Sequence, residues 1–325
     1  MKAWQFRTYG PYSEVLKWSE RTLPNPQLGQ CLVKTSAVSL NFPDLLVCQG
    51  KYQEKAPLPA VPGMEGVGTV YQTGSDSKFK IGDRVVGFCH GGGTLSEYFI
   101  SDDDSTWLVP NHVTDIQAAA LSVTYGTSYF GLFHRGNLKA EETLLVLGGA
   151  GGVGSAAIQL AKYAGSKVIA AAGTEAKLAI CKKLGADHLI NYTNEDMVSA
   201  VKNFTNGAGA DVIYDPVGGE LFEKTKRCAA WDSRLVIIGF TAGSIPKMET
   251  NRVLLKNMSL IGLAWGQYMK RRPKMVESCQ EKLYSLLREG FIDPLIFYTL
   301  PFSRAVEGLK MIEQREVYGK VVLTI

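Results

Sequence analysis

The sequence contains no pair of cysteines spaced C-x-x-C: Cys31, Cys48, Cys89, Cys181, Cys228 and Cys279 are scattered, and the closest two are Cys31 and Cys48. That excludes zinc ribbons and thioredoxin-like motifs. A chain of this length buries its own core without a disulfide framework, so the thiols read as small buried hydrophobes. Histidine is scarce too, and His90, His112, His134 and His188 show no metal-ligand spacing. Neither sign of charge dominates: 35 Lys plus Arg against 31 Asp plus Glu leaves a net +4, too little to argue for a nucleic-acid partner. The segment Met1-Lys2-Ala3-Trp4-Gln5-Phe6-Arg7 reads as a strand and lacks an apolar signal region, so export is not expected and a cytoplasmic location is. One uncharged stretch, 116–133, is interrupted by Gln117, Ser122, Thr124, Thr127, Ser128, Gly126 and Gly131. Lipid would face unpaired polar groups there, so the stretch predicts a buried helix at a domain junction. There is no G-x-S-x-G elbow, and covalent catalysis is not indicated.

What is present points to two domains, since 325 residues stand against ~100 to 200 per domain. A hydrophobic share of 46% with 20% charged residues excludes disorder and coiled coil. From 1 to about 122 the texture is short β-type runs at 31–34, 66–71 and 83–88 broken by Gly and Pro, an irregular β module. After Glu142 β-type runs alternate with helical stretches, the signature of a doubly wound parallel sheet. Strands are predicted at 143–147, 167–172, 188–190, 211–214, 234–238 and 259–263, and helices at 153–163 and 273–289. The tail reads as a helix and a strand, 320–324, that returns to the first module.

Directly after the first of these strands comes Leu147-Gly148-Gly149-Ala150-Gly151-Gly152-Val153-Gly154, in which Gly149, Gly151 and Gly154 satisfy G-x-G-x-x-G. The turn must be tight, the backbone must approach a pyrophosphate, and the helix must pack on the strand, so Cβ atoms are unwelcome. The helix N-terminus then offers N–H groups and a positive dipole end to phosphates. Strand, loop, helix and second strand follow in order, which makes a dinucleotide site the expectation. An acid at the tip of the second strand would take the ribose 2′-OH of NADH. That tip reads Ala170-Ala171-Ala172-Gly173-Thr174, with Lys177 one turn later, which is room and positive charge for a 2′-phosphate, and NADPH is expected. Glu175 is the awkward residue, because its carboxylate could repel the phosphate or take the NADH role.

Taken together, these residues resemble the zinc-independent quinone oxidoreductases of the medium-chain dehydrogenase/reductase superfamily, the zeta-crystallin group. The likeness covers essentially the whole chain. It rests on Asn41-Phe42-Pro43-Asp44, Pro62-Gly63-Met64-Glu65-Gly66, Ala118-Ala119-Ala120 leading to Thr124-Tyr125-Gly126-Thr127, and the glycine loop. It continues through Leu184-Gly185-Ala186-Asp187, Ile190-Asn191-Tyr192, Tyr214-Asp215-Pro216-Val217-Gly218-Gly219 and Gly319-Lys320-Val321-Val322. The resemblance implies a GroES-like catalytic domain from 1–122 and 266–325 and a Rossmann domain from 123–265. It implies that Asn41 and Thr127 approach the nicotinamide and that Ala150, Gly151, Gly152 and Val153 hold the pyrophosphate. By the same resemblance Gly173, Lys177 and Tyr192 surround the 2′-phosphate, with Thr174 beside them on the strand tip. Val217, Gly239 and Phe240 would line the cofactor groove, and Ala264 and Trp265 would form a wall beside the nicotinamide. Tyr52 would stand close to the nicotinamide as a hydrogen-bond or proton donor. Family members join edge strands of their nucleotide domains, and here that edge would be 257–262, giving a homodimer.

The zinc-dependent alcohol dehydrogenases share this architecture but present a Cys and a Gly-His-Glu motif to a catalytic zinc. Here Asn41 stands in the Cys region and Met64 in the His position, so no metal site is expected. Without a Lewis acid an alkoxide from an unactivated alcohol is hard to stabilise. A quinone or conjugated carbonyl, which spreads its own incoming charge, needs only positioning and a few donors. Asn41 can offer an amide N–H but no acidic proton. The expected activity is NADPH-dependent, metal-free reduction of quinones or enones by hydride transfer in the cleft between the modules. Leu46, where some relatives carry a second tyrosine, makes the acceptor pocket more apolar. Two alternatives remain open: an enoyl-thioester reductase with the same cofactor, and a non-enzymatic NADPH-binding, RNA-binding or structural protein. For the latter the local support is Lys270-Arg271-Arg272-Pro273-Lys274, a run with no interleaved aromatics.

Overall fold

Short strands dominate the first third of the chain. β1 (Lys2–Gln5) pairs antiparallel with β2 (Lys17–Glu20), and the one-turn helix α1 (Tyr12–Val15) lies between them in sequence. The long β3 (Gln30–Leu40) is followed by helix α2 (Phe42–Cys48), so the stretch expected to be purely β carries a helix where Asn41 begins its motif. Pro43 causes no break there, because a proline in the first helical turn has no intrahelical donor to lose. β4 (Glu65–Thr73), β5 (Arg84–Phe88), β6 (Tyr98–Asp102) and β7 (Thr106–Leu108) complete this portion.

The uncharged stretch forms helix α3 (Asp115–Tyr129), whose start is closed by a reciprocal box. Gln117 N donates to Thr114 Oγ1 at 3.2 Å and Thr114 N donates to Gln117 Oε1 at 3.1 Å. Residues Phe130–Arg135 then widen into a π turn, sealed by Gly136 N donating to Gly131 O at 2.8 Å. No helix of the chain is long and apolar enough to cross a membrane.

From here strands and helices alternate: β8 (Thr143–Leu147), α4 (Gly152–Tyr163), β9 (Lys167–Ala172), α5 (Glu175–Lys183), β10 (His188–Asn191), α6 (Met197–Phe204), β11 (Ala210–Asp215), α7 (Leu221–Cys228), β12 (Ala229–Ile237), α8 (Thr250–Lys256) and β13 (Ser259–Gly262). The six strands lie in the order β10-β9-β8-β11-β12-β13, and every pairing is parallel. The central strand β8 is buried along its whole length, as a strand covered on both faces by crossover helices must be. β12 starts five residues before the expected 234, because 229–233 also join the strand around Asp232, which adopts a left-handed φ of 59°. The order reverses between β8 and β11, the switch point at which open α/β sheets bind ligands outside their carboxyl ends.

Helices α9 (Trp265–Arg271), α10 (Pro273–Arg288) and α11 (Ala305–Glu313) follow, with β14 (Ile296–Pro301) and β15 (Lys320–Thr324). β15 pairs antiparallel with β3, so the tail closes the sheet β14-β15-β3-β4-β5-β7, with β6 on β3. The structure describes residues 1–325 and divides into two units. One comprises Met1–Val123, Gly266–Arg288 and Asp293–Ile325, the other Thr124–Trp265 and Glu289–Ile292.

Candidate nucleotide-binding and catalytic site

In the parallel-sheet unit every loop of interest leaves the carboxyl end of a strand. After β8, Gly148 turns with φ 59°, and its carbonyl accepts from Gly151 N at 2.9 Å, while Gly149 N donates to Ala171 O of β9 at 3.0 Å. A Cβ at Gly154 would run into the Gly148 carbonyl oxygen, whereas one at Gly151 would meet that oxygen alone, at 3.3 Å. Gly154 therefore serves the close packing of helix on loop, and Gly151 keeps the other side of the loop open. Gly151 caps α4 without any side-chain hydrogen bond, so the N–H groups of Gly152 and Val153 in its first turn meet no capping side chain. This backbone cradle fits a pyrophosphate.

The cradle is braced from below. Ser128 Oγ donates to Val153 O at 2.9 Å and also contacts the Tyr214 hydroxyl at 2.9 Å. Serine has one hydrogen, so Tyr214 is the donor in the second bond, and β11, α3 and the start of α4 are linked in series. Next along β11, the buried Asp215 accepts from Val217 N at 2.8 Å and Gly218 N at 2.9 Å. Burial raises its carboxyl above the usual range, and these two donors oppose the shift. The loops after β11 and β12 are then stitched together by Thr241 N to Pro216 O at 3.1 Å and Ala242 N to Val217 O at 2.9 Å. Val217, Gly239 and Phe240 are thereby gathered at the switch point: a Cβ at Gly148 would lie 3.4 Å from Val217 Cγ2, and one at Gly218 2.9 Å from Phe240.

At the tip of β9 no acid is present, and Thr174 caps α5 by accepting from Lys177 N at 3.3 Å. The Tyr192 ring covers Gly173, where a Cβ would lie 3.1 Å from the Tyr192 hydroxyl. Gly173, Thr174, Lys177 and Tyr192 thus share one corner. Glu175 stands in the same corner, but its Oε1 accepts from Asn191 Nδ2 at 2.6 Å. After β13, Ala264 is exposed and Trp265 is buried. The indole packs against Gly126 of α3, where a Cβ would lie 2.5 Å from Trp265 Cζ2. Thr127, half-buried, is the next residue of that helix.

The other unit holds a cluster of buried polar groups around Asn41. Lys320 Nζ from β15 donates to Leu40 O at 3.0 Å, to Glu65 Oε1 at 3.1 Å and to Asn41 Oδ1. Asn41 Nδ2 donates to Glu65 Oε1 at 3.0 Å and Ser39 O at 3.2 Å. The Lys320 and Glu65 side chains are 5% and 0% exposed, and Glu65 Oε2 accepts from Val123 N at 2.8 Å. Two charged neighbours of opposite sign fix the amide orientation, oxygen to the ammonium and nitrogen to the carboxylate. Both amide hydrogens are engaged, so the N–H that the sequence offered to a carbonyl is already committed. What Asn41 retains is acceptor capacity on Oδ1.

Asn41 also begins α2, where its N–H donates to Asp44 Oδ2 at 2.7 Å, and Asp44 Oδ1 accepts from Gly63 N at 3.0 Å. Burial pushes the Asp44 carboxyl up to about 7, with those donors and Lys320 opposing. Tyr52, half-buried, has its phenol raised by burial and by the Asp44 and Glu54 carboxylates, so it stays protonated at neutral pH as a donor. Met64 is buried in the core, and no three His, Cys, Asp or Glu side chains are placed to hold a metal ion. All six cysteines are buried and free, and burial raises their thiols, those of Cys31, Cys48, Cys181 and Cys228 to about 12. The donor set does not fit a zinc site.

Family models described as "Alcohol dehydrogenase GroES-like domain" and "Zinc-binding dehydrogenase" match residues 27–111 and 152–281. A quinone oxidoreductase-like protein 2 homolog of Nematostella vectensis is 39% identical over 297 residues, 90% of this chain and 81% of the relative. An Escherichia coli quinone oxidoreductase solved with NADPH superposes with a TM-score of 0.91 at 28% identity, covering 100% of both chains. A mycobacterial protein solved with NADPH gives 0.93 at 27%, again covering 100% of both. The chain belongs to the zinc-independent quinone oxidoreductases of the medium-chain dehydrogenase/reductase superfamily. As a member of that family it combines a GroES-like domain with a Rossmann domain.

Sequence reasoning passed over Ser128, Tyr214, Asp215, Asn191, Glu65 and Lys320 as working parts. Tyr214, Asp215, Asn191, Glu65 and Lys320 stand inside the motifs that carried the family resemblance. Only Lys320 carried a local signal, a lone lysine opening a strand that continues Val321-Val322-Leu323.

Proposed function

We propose that this oxidoreductase reduces quinones or conjugated carbonyl compounds by metal-free hydride transfer from NADPH. The observation that carries the reading is the corner of Gly173, Thr174, Lys177 and Tyr192, with no free acid at the β9 tip and Glu175 tied to Asn191. When bound, NADPH supplies a hydride, two electrons and one proton, to an acceptor that delocalises the resulting charge. The residues of the chain do the rest. The α4 N-terminus and Gly151 seat the pyrophosphate, and Lys177 offers a cation to the 2′-phosphate. The Tyr52 phenol donates a hydrogen bond to the acceptor oxygen as negative charge builds on it, and solvent supplies the second proton. Asn41 accepts a hydrogen bond through Oδ1, its amide held by Lys320 and Glu65. We further propose that the protein is a cytoplasmic homodimer joined along β13, with no nucleic-acid partner.

The test is oxidation of NADPH and NADH by chelator-treated protein with 1,4-benzoquinone, 9,10-phenanthrenequinone and 2-alkenals, followed at 340 nm. Rapid turnover with NADPH is expected. Turnover restored only by added zinc would overturn the metal-free reading, and tight NADPH binding without turnover would favour an enoyl-thioester acceptor or a non-enzymatic role.

A further inference from the structure

Glu175 presents a puzzle of charge. It is the first residue of α5, one position after the cap Thr174 and two before Lys177, in the corner assigned to a doubly negative 2′-phosphate. A free carboxylate within a few ångströms of that group would repel it, and one able to reach a ribose would favour the unphosphorylated cofactor. Its surroundings differ from those of an ordinary helix-start acid. Its Oε1 accepts from Asn191 Nδ2 at 2.6 Å, a short bond to an ionised group.

Asn191 is built for that task. The residue is 3% exposed, at the last position of β10, paired in register with Ala172. Its Oδ1 accepts from Thr193 N at 3.2 Å, which fixes the amide so that only Nδ2 can face Glu175. The backbone around it is equally held, Asn191 N donating to Glu195 Oε1 at 2.9 Å and Thr193 Oγ1 donating to Gly173 O at 3.1 Å. The residue that tethers the acid is thus followed directly by Tyr192, whose ring covers Gly173.

We infer that Asn191 is a positioning residue for cofactor selectivity: by holding the Glu175 carboxylate against the end of β10, it withdraws that charge from the corner where Gly173, Lys177 and Tyr192 meet. This rests on the NADPH reading above. The tether rather than the absence of an acid is then what lets this sequence accept a 2′-phosphate.

Steady-state KM and kcat for NADPH and NADH test it in four variants of the full chain. Glu175→Asp, at an exposed helix start where folding is not at risk, shortens the acid beyond reach of Asn191 and frees it. Its KM for NADPH is expected to rise about tenfold, with KM for NADH and both kcat values little changed. Asn191→Ala is expected to do the same, and Asn191→Ala with Glu175→Gln to return the NADPH KM close to wild type. Glu175→Gln alone is expected to leave both cofactors within about twofold. Equal losses for both cofactors, or no rescue by the glutamine, would show a merely structural bond and overturn the inference while wild-type preference for NADPH stands. Glu175→Gln alone weakening NADH strongly would also overturn it, since Glu175 would then read the ribose. A wild type that prefers NADH overturns the cofactor reading, and this inference with it.

Discussion

At the scale of single residues, the cluster around Asn41 shows how a buried ion pair sets the chemistry of a neutral side chain. A carboxylate and an ammonium removed from water are tolerated only when their remaining hydrogen-bonding positions are filled. Here the Leu40 carbonyl serves the ammonium, the Val123 N–H serves the carboxylate, and the Asn41 amide bonds to both. Lys320→Met would leave Glu65 buried without its cation, and a loss of roughly 3 to 5 kcal/mol is expected in urea unfolding. Adding Glu65→Gln should recover much of it, since no uncompensated charge is then left inside. A Lys320→Met protein with wild-type stability would show that the pair is not the support described. None of this could be read from composition, because Asn41, Glu65 and Lys320 are far apart in the chain and meet only when β15 closes on β3.

At the scale of elements, the strand, glycine loop and helix at 143–163 are legible in sequence because their constraints are local. The turn needs a positive φ at Gly148 and no Cβ at Gly154, and both needs fall between the end of β8 and the first turn of α4. The two roles separate experimentally. Gly154→Ala places a methyl against backbone that cannot swing aside, so a fall in unfolding free energy of about 1 to 3 kcal/mol is expected together with lost cofactor binding. Gly151→Ala meets only one carbonyl, at 3.3 Å, and should keep near-normal stability while weakening NADPH binding by fluorescence titration. Equal stability losses in both variants would refute the division of labour. The start of β12 was less legible, since residues 229–233 pass through a left-handed Asp232 that breaks strand periodicity. Helix α2 was missed because Asn41-Phe42-Pro43-Asp44 is too short to show a helical period.

For the whole molecule, the parallel sheet leaves β13 at its edge. An unpaired edge invites pairing with another chain. Beside it in sequence, α8 buries none of its residues, and Leu254 and Leu255 are each 75% exposed, with Trp231 66% exposed on neighbouring β12. Apolar exposure next to an open edge argues for a second copy. Light scattering on the purified protein should return twice the mass of the 35.5 kDa chain. Leu254→Glu with Leu255→Glu should shift it toward the monomer, and a wild-type monomer would remove the proposed dimer.

The sequence by itself determined the fold class, the family and the glycine loop. Each depends on residues adjacent in the chain or on a period of apolar positions, and local sterics and burial act over that range. Tertiary structure decided what those residues are free to do. Asn41 looked like a donor until Lys320 and Glu65 arrived to consume its amide, and Glu175 looked like an obstacle until Asn191 arrived from β10 to hold it. Hydrogen bonds between groups brought together by sheet closure have no signature along the chain, because what specifies them is distance in space.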